Sequence, residues 1–333
     1  MNILIIKLGA IGDVIRTTAV LQGLKDKYKN CNIDWVTEKE SFDVLKYNNL
    51  VNRIHVINNF KNKLNKKHDL VISLDDEHKA CLLASGINSK KIIGAFIKNN
   101  KKIYSKDSAL WFDMGLTSKY GKQKADLLKA QNKKTYQEIM YEILGLKYKK
   151  QEPILSLTKK EIDFGKKFAQ KNKIKKTDLI IGINTGAGGR WQDKKLSEGQ
   201  TAELIDKLNK KLNAKLLLFG GPEETNRNKK IKKLVKTNII DAGCRNSLME
   251  FASLVNLCDI LVTSDSLALH IGTALKKKIV VFFYVTSSTE IELYNRGIKI
   301  IGKGKSYCSY ETKCKYPPKW DINKFVNAVK RLV

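Results

Sequence analysis

Four loops collect the residues able to do chemistry, and each follows an apolar run that reads as a strand. The first is Lys7-Leu8-Gly9-Ala10-Ile11-Gly12-Asp13. Two glycines allow a tight turn into a helix N-terminus and leave Asp13 at its mouth. A carboxylate there could take a proton from a bound hydroxyl, or simply cap the helix. The pattern is G-x-x-G-D and not G-x-G-x-x-G, which argues against a pyridine-dinucleotide site. The second loop runs from Asn184 to Ser197 and contains Thr185, Gly186, Gly188, Gly189, Arg190, Lys194 and Lys195. Its glycines let backbone N–H groups approach an anion, and Arg190 and Lys194 add positive charge. Ser197 is expected to cap the next helix, with Gln200 completing a capping box. The third loop, Phe219-Gly220-Gly221-Pro222-Glu223-Glu224, offers carboxylates for a ribose diol; the same acids would also suit a helix dipole. The fourth, Thr263-Ser264-Asp265-Ser266-Leu267-Ala268-Leu269-His270, aims the N–H groups of Ser266 and Leu267 at an anion site. Asp265 sits at its tip. His270 follows one turn later, either facing the site or packed within the helix.

Positioning these loops requires alternating strands and helices. Strands are expected at Asn2–Lys7, Ile33–Val36, Arg53–Ile57, Leu70–Leu74 and Lys91–Phe96, with helices at Asp13–Tyr28, Glu77–Ser85 and Lys133–Leu144. Gln151–Thr158, with Pro153, reads as a linker. A second series follows, with strands at Leu179–Ile183, Lys215–Phe219, Ile239–Asp241, Ile260–Thr263, Ile279–Phe283 and Ile298–Ile301. Its helices are expected at Ser197–Leu212, Glu224–Val235, Leu248–Leu257, Leu267–Leu275 and Ile322–Leu332. The alternation predicts α/β architecture with parallel sheets. It gives two doubly wound domains, 1–157 and 158–333, the final helix packing back on the first. Ligands are expected in a cleft at the carboxyl ends of both sheets.

At 333 residues and 42% hydrophobic, the chain is long enough for two cores. No run approaches a membrane span, and the opening does not read as a signal peptide; the expectation is a cytoplasmic protein. The net charge is +30, and only seven of the 63 basic residues are arginine. A nucleic-acid reader would use arginine forks, so nucleic acid is not expected as a partner. The diffuse lysine surface fits solvation, or attraction to an anionic membrane face. Four of the six cysteines lie singly in apolar patterns; Cys308 and Cys314 sit close together in a polar tail and could form a local link or metal finger.

Together the loops resemble glycosyltransferase family 9, the ADP-heptose:lipopolysaccharide heptosyltransferases. The resemblance is carried by ILIIKLGAIGDVIRTTAVLQGLK, HDLVISLDDEHKA, INTGAGGRWQDKKLS, LLFGGPEE and VTSDSLALHIGTALKKKIVVFF, then TSSTEIELY and YCSYETKCKY. It implies a GT-B fold and a metal-free inverting reaction in which Asp13 is the base and Lys194 meets the donor's phosphates. It further implies that Glu224 or Glu223 holds the ribose and that Asn246 packs the adenine. Asp265, Ser266, Leu267 and His270 match the phosphate and sugar loop. Thr185, Gly186 and Arg190 fall on the donor side, Gly12 and Arg16 on the acceptor side. The expected reaction moves a heptose-like sugar from an ADP-sugar, a substrate and not a cofactor, to an anionic glycolipid of the lipopolysaccharide core. Leu267 replaces a frequent Gly, Leu196-Ser197 a usual Trp-Pro, and Tyr284-Val285 a Gly-Pro. Alternatives are a GT-B transferase using another nucleotide-sugar or a protein acceptor, and a non-catalytic anion-binding protein.

Overall fold

A computed structural model describes residues 1–59, 67–189, 192–304, 308–310, 312 and 314–333. The chain divides into two compact units. One is Met1–Ser156 with Thr289–Glu292; the other is Leu157–Ser288 with Leu293–Val333.

The first unit holds β1 (Asn2–Ile6), β2 (Asn32–Thr37), β3 (Arg53–Val56), β4 (Leu70–Ser73), β5 (Ile92–Lys98) and β6 (Lys101–Tyr104), in the order β3-β2-β1-β4-β5-β6. β1 pairs in parallel with both β2 and β4, and its Ile3, Leu4, Ile5 and Ile6 are fully buried. A central strand covered on both faces needs such an unbroken apolar run. The second unit holds β7 (Ile180–Asn184), β8 (Lys215–Phe219), β9 (Ile240–Asp241), β10 (Ile260–Ser264), β11 (Lys278–Phe283) and β12 (Gly297–Ile301). Their order, β12-β11-β10-β7-β8-β9, is the same winding, with the connection reversing direction between β10 and β7. Both units are therefore doubly wound α/β sheets, the GT-B class of fold.

Several elements differ from the sequence expectation. The first helix is two, Ile11–Thr17 and Val20–Lys27. The Thr18 hydroxyl donates to Ile15 O and accepts from Ile154 N–H at 2.7 Å, and such local bonds compete with a continuing helix. β6 was not anticipated: Asn99 and Asn100, both in the left-handed region (φ 50° and 57°), turn the chain into an antiparallel hairpin. Helices Lys122–Gln131 and Lys159–Lys171 are also additional. The second was legible in Thr158-Lys159-Lys160-Glu161, where Thr158 N–H donates to the Glu161 carboxylate at 2.8 Å.

The last helix, Ile322–Leu332, belongs to the second unit, not the first. Its apolar stripe, Phe325, Val326 and Val329, packs in one cluster with Leu204, Ile205 and Leu208. The short segment Thr289–Glu292 returns to the first unit instead, where Tyr136 N–H donates to Glu290 O at 2.9 Å.

Candidate functional site

In the first unit the connection reverses direction between β1 and β4, and a buried ion pair spans that point. Lys7, just past β1, binds Asp75, just past β4. Lys7 Nζ also donates to Gly9 O at 2.8 Å, and Asp75 accepts from Leu8 N–H. The pair therefore holds the backbone that leads into the Asp13 helix. Burial works against the charge of Lys7, but Asp75 and Asp13 outweigh it and hold the ammonium above the usual lysine range. Asp75 lies inside, where it answers this lysine.

Ala10 is the N-cap of that helix and Asp13 its third residue, with Gly12 buried beneath. Asp13 is therefore not the capping side chain. Its carboxylate lies 2.9 Å from Arg16 Nε and 3.9 Å from Lys7 Nζ, with 34% of the side chain exposed. Arg16 is itself held by Tyr136, whose ring centroid lies 3.9 Å from the guanidinium carbon, and by Glu290 at 3.9 Å. The arrangement presents a partly open carboxylate backed by two cations, able to accept a proton from a hydroxyl.

In the second unit the reversal point is spanned by a neutral side chain. Asn184, ending β7, donates to Thr263 Oγ1 at 3.1 Å and Ser266 Oγ at 3.3 Å across on β10, and to Gly186 O at 2.8 Å. Ser266 caps helix Leu267–Ala274, so the first-turn N–H groups point off its end. Lys194, buried, donates to Asp265 O and Oδ2 at 3.0 and 2.9 Å, and Thr286 Oγ1 donates to the same carboxylate at 2.7 Å. Burial opposes ionisation of Asp265, but Lys194, His270 and the bond from Thr286 outweigh it and hold the carboxyl below its usual range. Lys195 pairs with Glu224 at 3.2 Å, and Glu224 accepts from Gly221 N–H at 3.0 Å.

Two acid–lysine pairs thus flank the glycine loop. A Cβ at Gly186 would lie 2.9 Å from the Glu224 carboxylate and would press on it, and Gly188, at φ 72°, favours glycine. The capping box of Ser197 and Gln200 is present. Asp193 accepts from Cys314 N–H at 2.7 Å, which ties the turn carrying Lys194 to the cysteine-bearing tail.

Not every expected donor-side residue is aimed outward. The Thr185 hydroxyl is turned inward, to Asn228 Oδ1 at 2.6 Å and Phe219 O at 3.0 Å; it braces the neighbouring strand ends. Asn246 folds its amide back on Ala242 O at 2.8 Å. Glu223 is exposed while Glu224 is buried. His270 is half-buried and Leu267 opens its helix. Arg190 lies outside the described residues. Lys7, Asn184 and Thr286 were not singled out in advance. The signal for the first two was position: each lies at or just beyond the carboxyl end of a strand.

All six cysteines are free thiols, and burial pushes Cys258 up to about 12 and Cys81 up to about 11. Among the described residues no three His, Cys, Asp or Glu side chains gather as a metal-binding group, and no helix is long and apolar enough to cross a membrane.

Two doubly wound units of this kind define the GT-B class of fold. The profile of glycosyltransferase family 9 (heptosyltransferase) matches residues 57–319; the chain belongs to that family and is a heptosyltransferase-like glycosyltransferase. Its fold is similar to a family 9 glycosyltransferase from Veillonella parvula, 18% identical over 99% of this chain and 96% of that one, with a TM-score of 0.77. E. coli ADP-heptose lps heptosyltransferase II is 16% identical over 100% and 98%, TM-score 0.69. An E. coli heptosyltransferase with ADP is 16% identical over 99% and 96%, TM-score 0.61. Among curated protein sequences, none matches this chain.

Proposed function

We propose that this chain moves a heptose-like sugar from an ADP-sugar to a hydroxyl of a cell-envelope glycolipid of the lipopolysaccharide core, with inversion and without a metal. The carrying observation is Asp13, a partly exposed carboxylate past β1 with Lys7 and Arg16 beside it. In this reading the acceptor O–H gives its proton to Asp13 as its oxygen attacks the anomeric carbon. The bond to the diphosphate oxygen breaks and its electron pair leaves with the nucleotide. One displacement inverts the centre. Lys194, Lys195 and the N–H groups at Leu267 are preorganised for the growing charge on the leaving group. Glu224 and Asp265 keep those lysines aimed. The ADP reading draws support from the E. coli heptosyltransferase solved with ADP. The protein is expected to work in the cytoplasm.

The test is mass spectrometry of the product made from ADP-heptose and an envelope extract, run with and without EDTA. A product heavier by one heptosyl residue, formed equally in both, is the expected result. Transfer only from a different nucleotide-sugar would overturn the donor. Loss in EDTA, restored by a divalent ion, would overturn the metal-free mechanism.

A further inference from the structure

Helix Lys122–Gln131 stands apart in the first unit. Ala125 is its one buried residue, and among the described elements none packs broadly against it. A ten-residue helix is marginal in water and normally depends on an apolar face packed against something. Here Leu128 is half-buried but Leu127 is 47% exposed, and the turns just before the helix expose Leu116 at 87% and Tyr120 at 53%. One exposed leucine is ordinary; three large exposed apolar side chains within so short a segment are not.

The charges around them have one sign. Lys119, Lys122, Lys124 and Lys129 interleave with the apolar tips, and Asp126 is the one acid between Leu116 and Gln131. Apolar tips among lysines suit the boundary of an anionic bilayer, where the lysines meet lipid phosphates and the tips enter the acyl edge.

The segment is also anchored. Thr117 Oγ1 donates to Asp76 at 3.2 Å, and Lys119 N–H donates to the Tyr104 hydroxyl at 3.1 Å. Tyr104 stacks on Phe112, centroids 5.4 Å apart. Asp76 follows Asp75, the partner of Lys7. The surface is therefore tied to the sheet end that carries Asp13.

We propose that Leu116–Lys129 docks the first unit on the headgroup layer of an anionic lipid bilayer. Its purpose, presenting a membrane-held acceptor at the Asp13 end of the sheet, rests on the glycolipid reading above; the binding itself does not.

The test is co-sedimentation of the full chain with vesicles of phosphatidylcholine alone, or mixed with phosphatidylglycerol. A protein of charge +30 will meet anionic vesicles through many lysines, so the informative variant leaves charge alone. L116S/L127S should partition about 100-fold more weakly than wild type, roughly tenfold per leucine. It should keep wild-type turnover on a detergent-dispersed acceptor. Equal partitioning of variant and wild type overturns the proposal. So does a concentration-dependent dimer of the wild type, seen by sedimentation velocity and abolished by the same variant, which would assign the face to a second copy. Absence of turnover in wild type would sink the catalytic reading while leaving the vesicle result intact, so the two failures are separable.

Discussion

The two units wind their strands in the same order yet close the reversal point with opposite chemistry. The first uses a buried charge pair, Lys7 with Asp75. The second uses the neutral amide of Asn184 bonded to Thr263 and Ser266. In the first unit the charge lies deep, and what remains at the surface is one carboxylate, Asp13, with cations behind it. In the second, the neutral lock is flanked by two further largely buried ion pairs, Lys194 with Asp265 and Lys195 with Glu224. In the proposed reaction one winding supplies the proton acceptor and the other the cradle for an anion. The topology marks where a ligand goes, and the few side chains at that point decide which ligand.

The sharpest way to break this comparison is Asp13→Asn. It keeps size and most hydrogen bonding but removes the proton acceptor. Turnover should fall roughly 10²–10⁴-fold, with donor affinity little changed. Near-normal turnover in the folded variant would remove the first unit's catalytic role and shift attention to Asp265 or His270.

Next in size is the buried pair itself. Lys7→Met leaves Asp75 buried without its partner, and should cost about 3–5 kcal/mol of stability, read as a lowered urea midpoint. Asn184→Ala strands neutral acceptors only, two hydroxyls and the Gly186 carbonyl, and should cost about 1–3 kcal/mol. Equal losses would erase the proposed distinction between a charged and a neutral lock.

Lys194→Ala tests the second unit's ion pairs. Removing one preorganised charge from the leaving diphosphate should slow turnover roughly 10²–10³-fold and weaken ADP binding by calorimetry. Unchanged kinetics would leave Lys195 as the lysine that meets the phosphates.

The smallest effect concerns pH. The folded Asp265 carboxyl lies below its usual range. Its contribution to stability is therefore present above the unfolded carboxylate value, about 3.9, and is lost as pH falls through the lower folded value. Thr286→Val removes one bond to the charged form and raises that folded value. The acid loss of melting temperature should then begin at higher pH, with a cost of about 1 kcal/mol near neutrality. Superimposable melting curves from pH 6 to 3 would show that Thr286 does not hold the carboxylate.

Much of this was legible in the chain itself. The apolar runs at Ile3–Ile6 and Ile260–Val262 read as buried parallel strands, and the loops after them, Gly-rich behind the first alone, read as turns into a helix. Ser197 and Gln200 announced their helix start, because a capping box is a local bond between residues three apart. The family resemblance drew on the same local patterns. Where the sequence reading failed, the deciding contact was distant or the local rule was overridden. Nothing near Asp75 says that it answers Lys7, 68 positions away. Thr185 looked like a ligand contact until Asn228, on another element, turned its hydroxyl inward. Thr18 splits a helix that periodicity alone would continue: its hydroxyl donates to Ile15 O and is held there by the N–H of distant Ile154. The final helix chose its unit by fitting Phe325 and Val329 against Leu204 and Leu208, a matter of shape between faces. Local sequence determined the elements, their caps and the loops where chemistry gathers; only the tertiary structure decided which charges are paired, which hydroxyls are turned inward and which carboxylate stays open, because those depend on neighbours that the chain brings together only by folding.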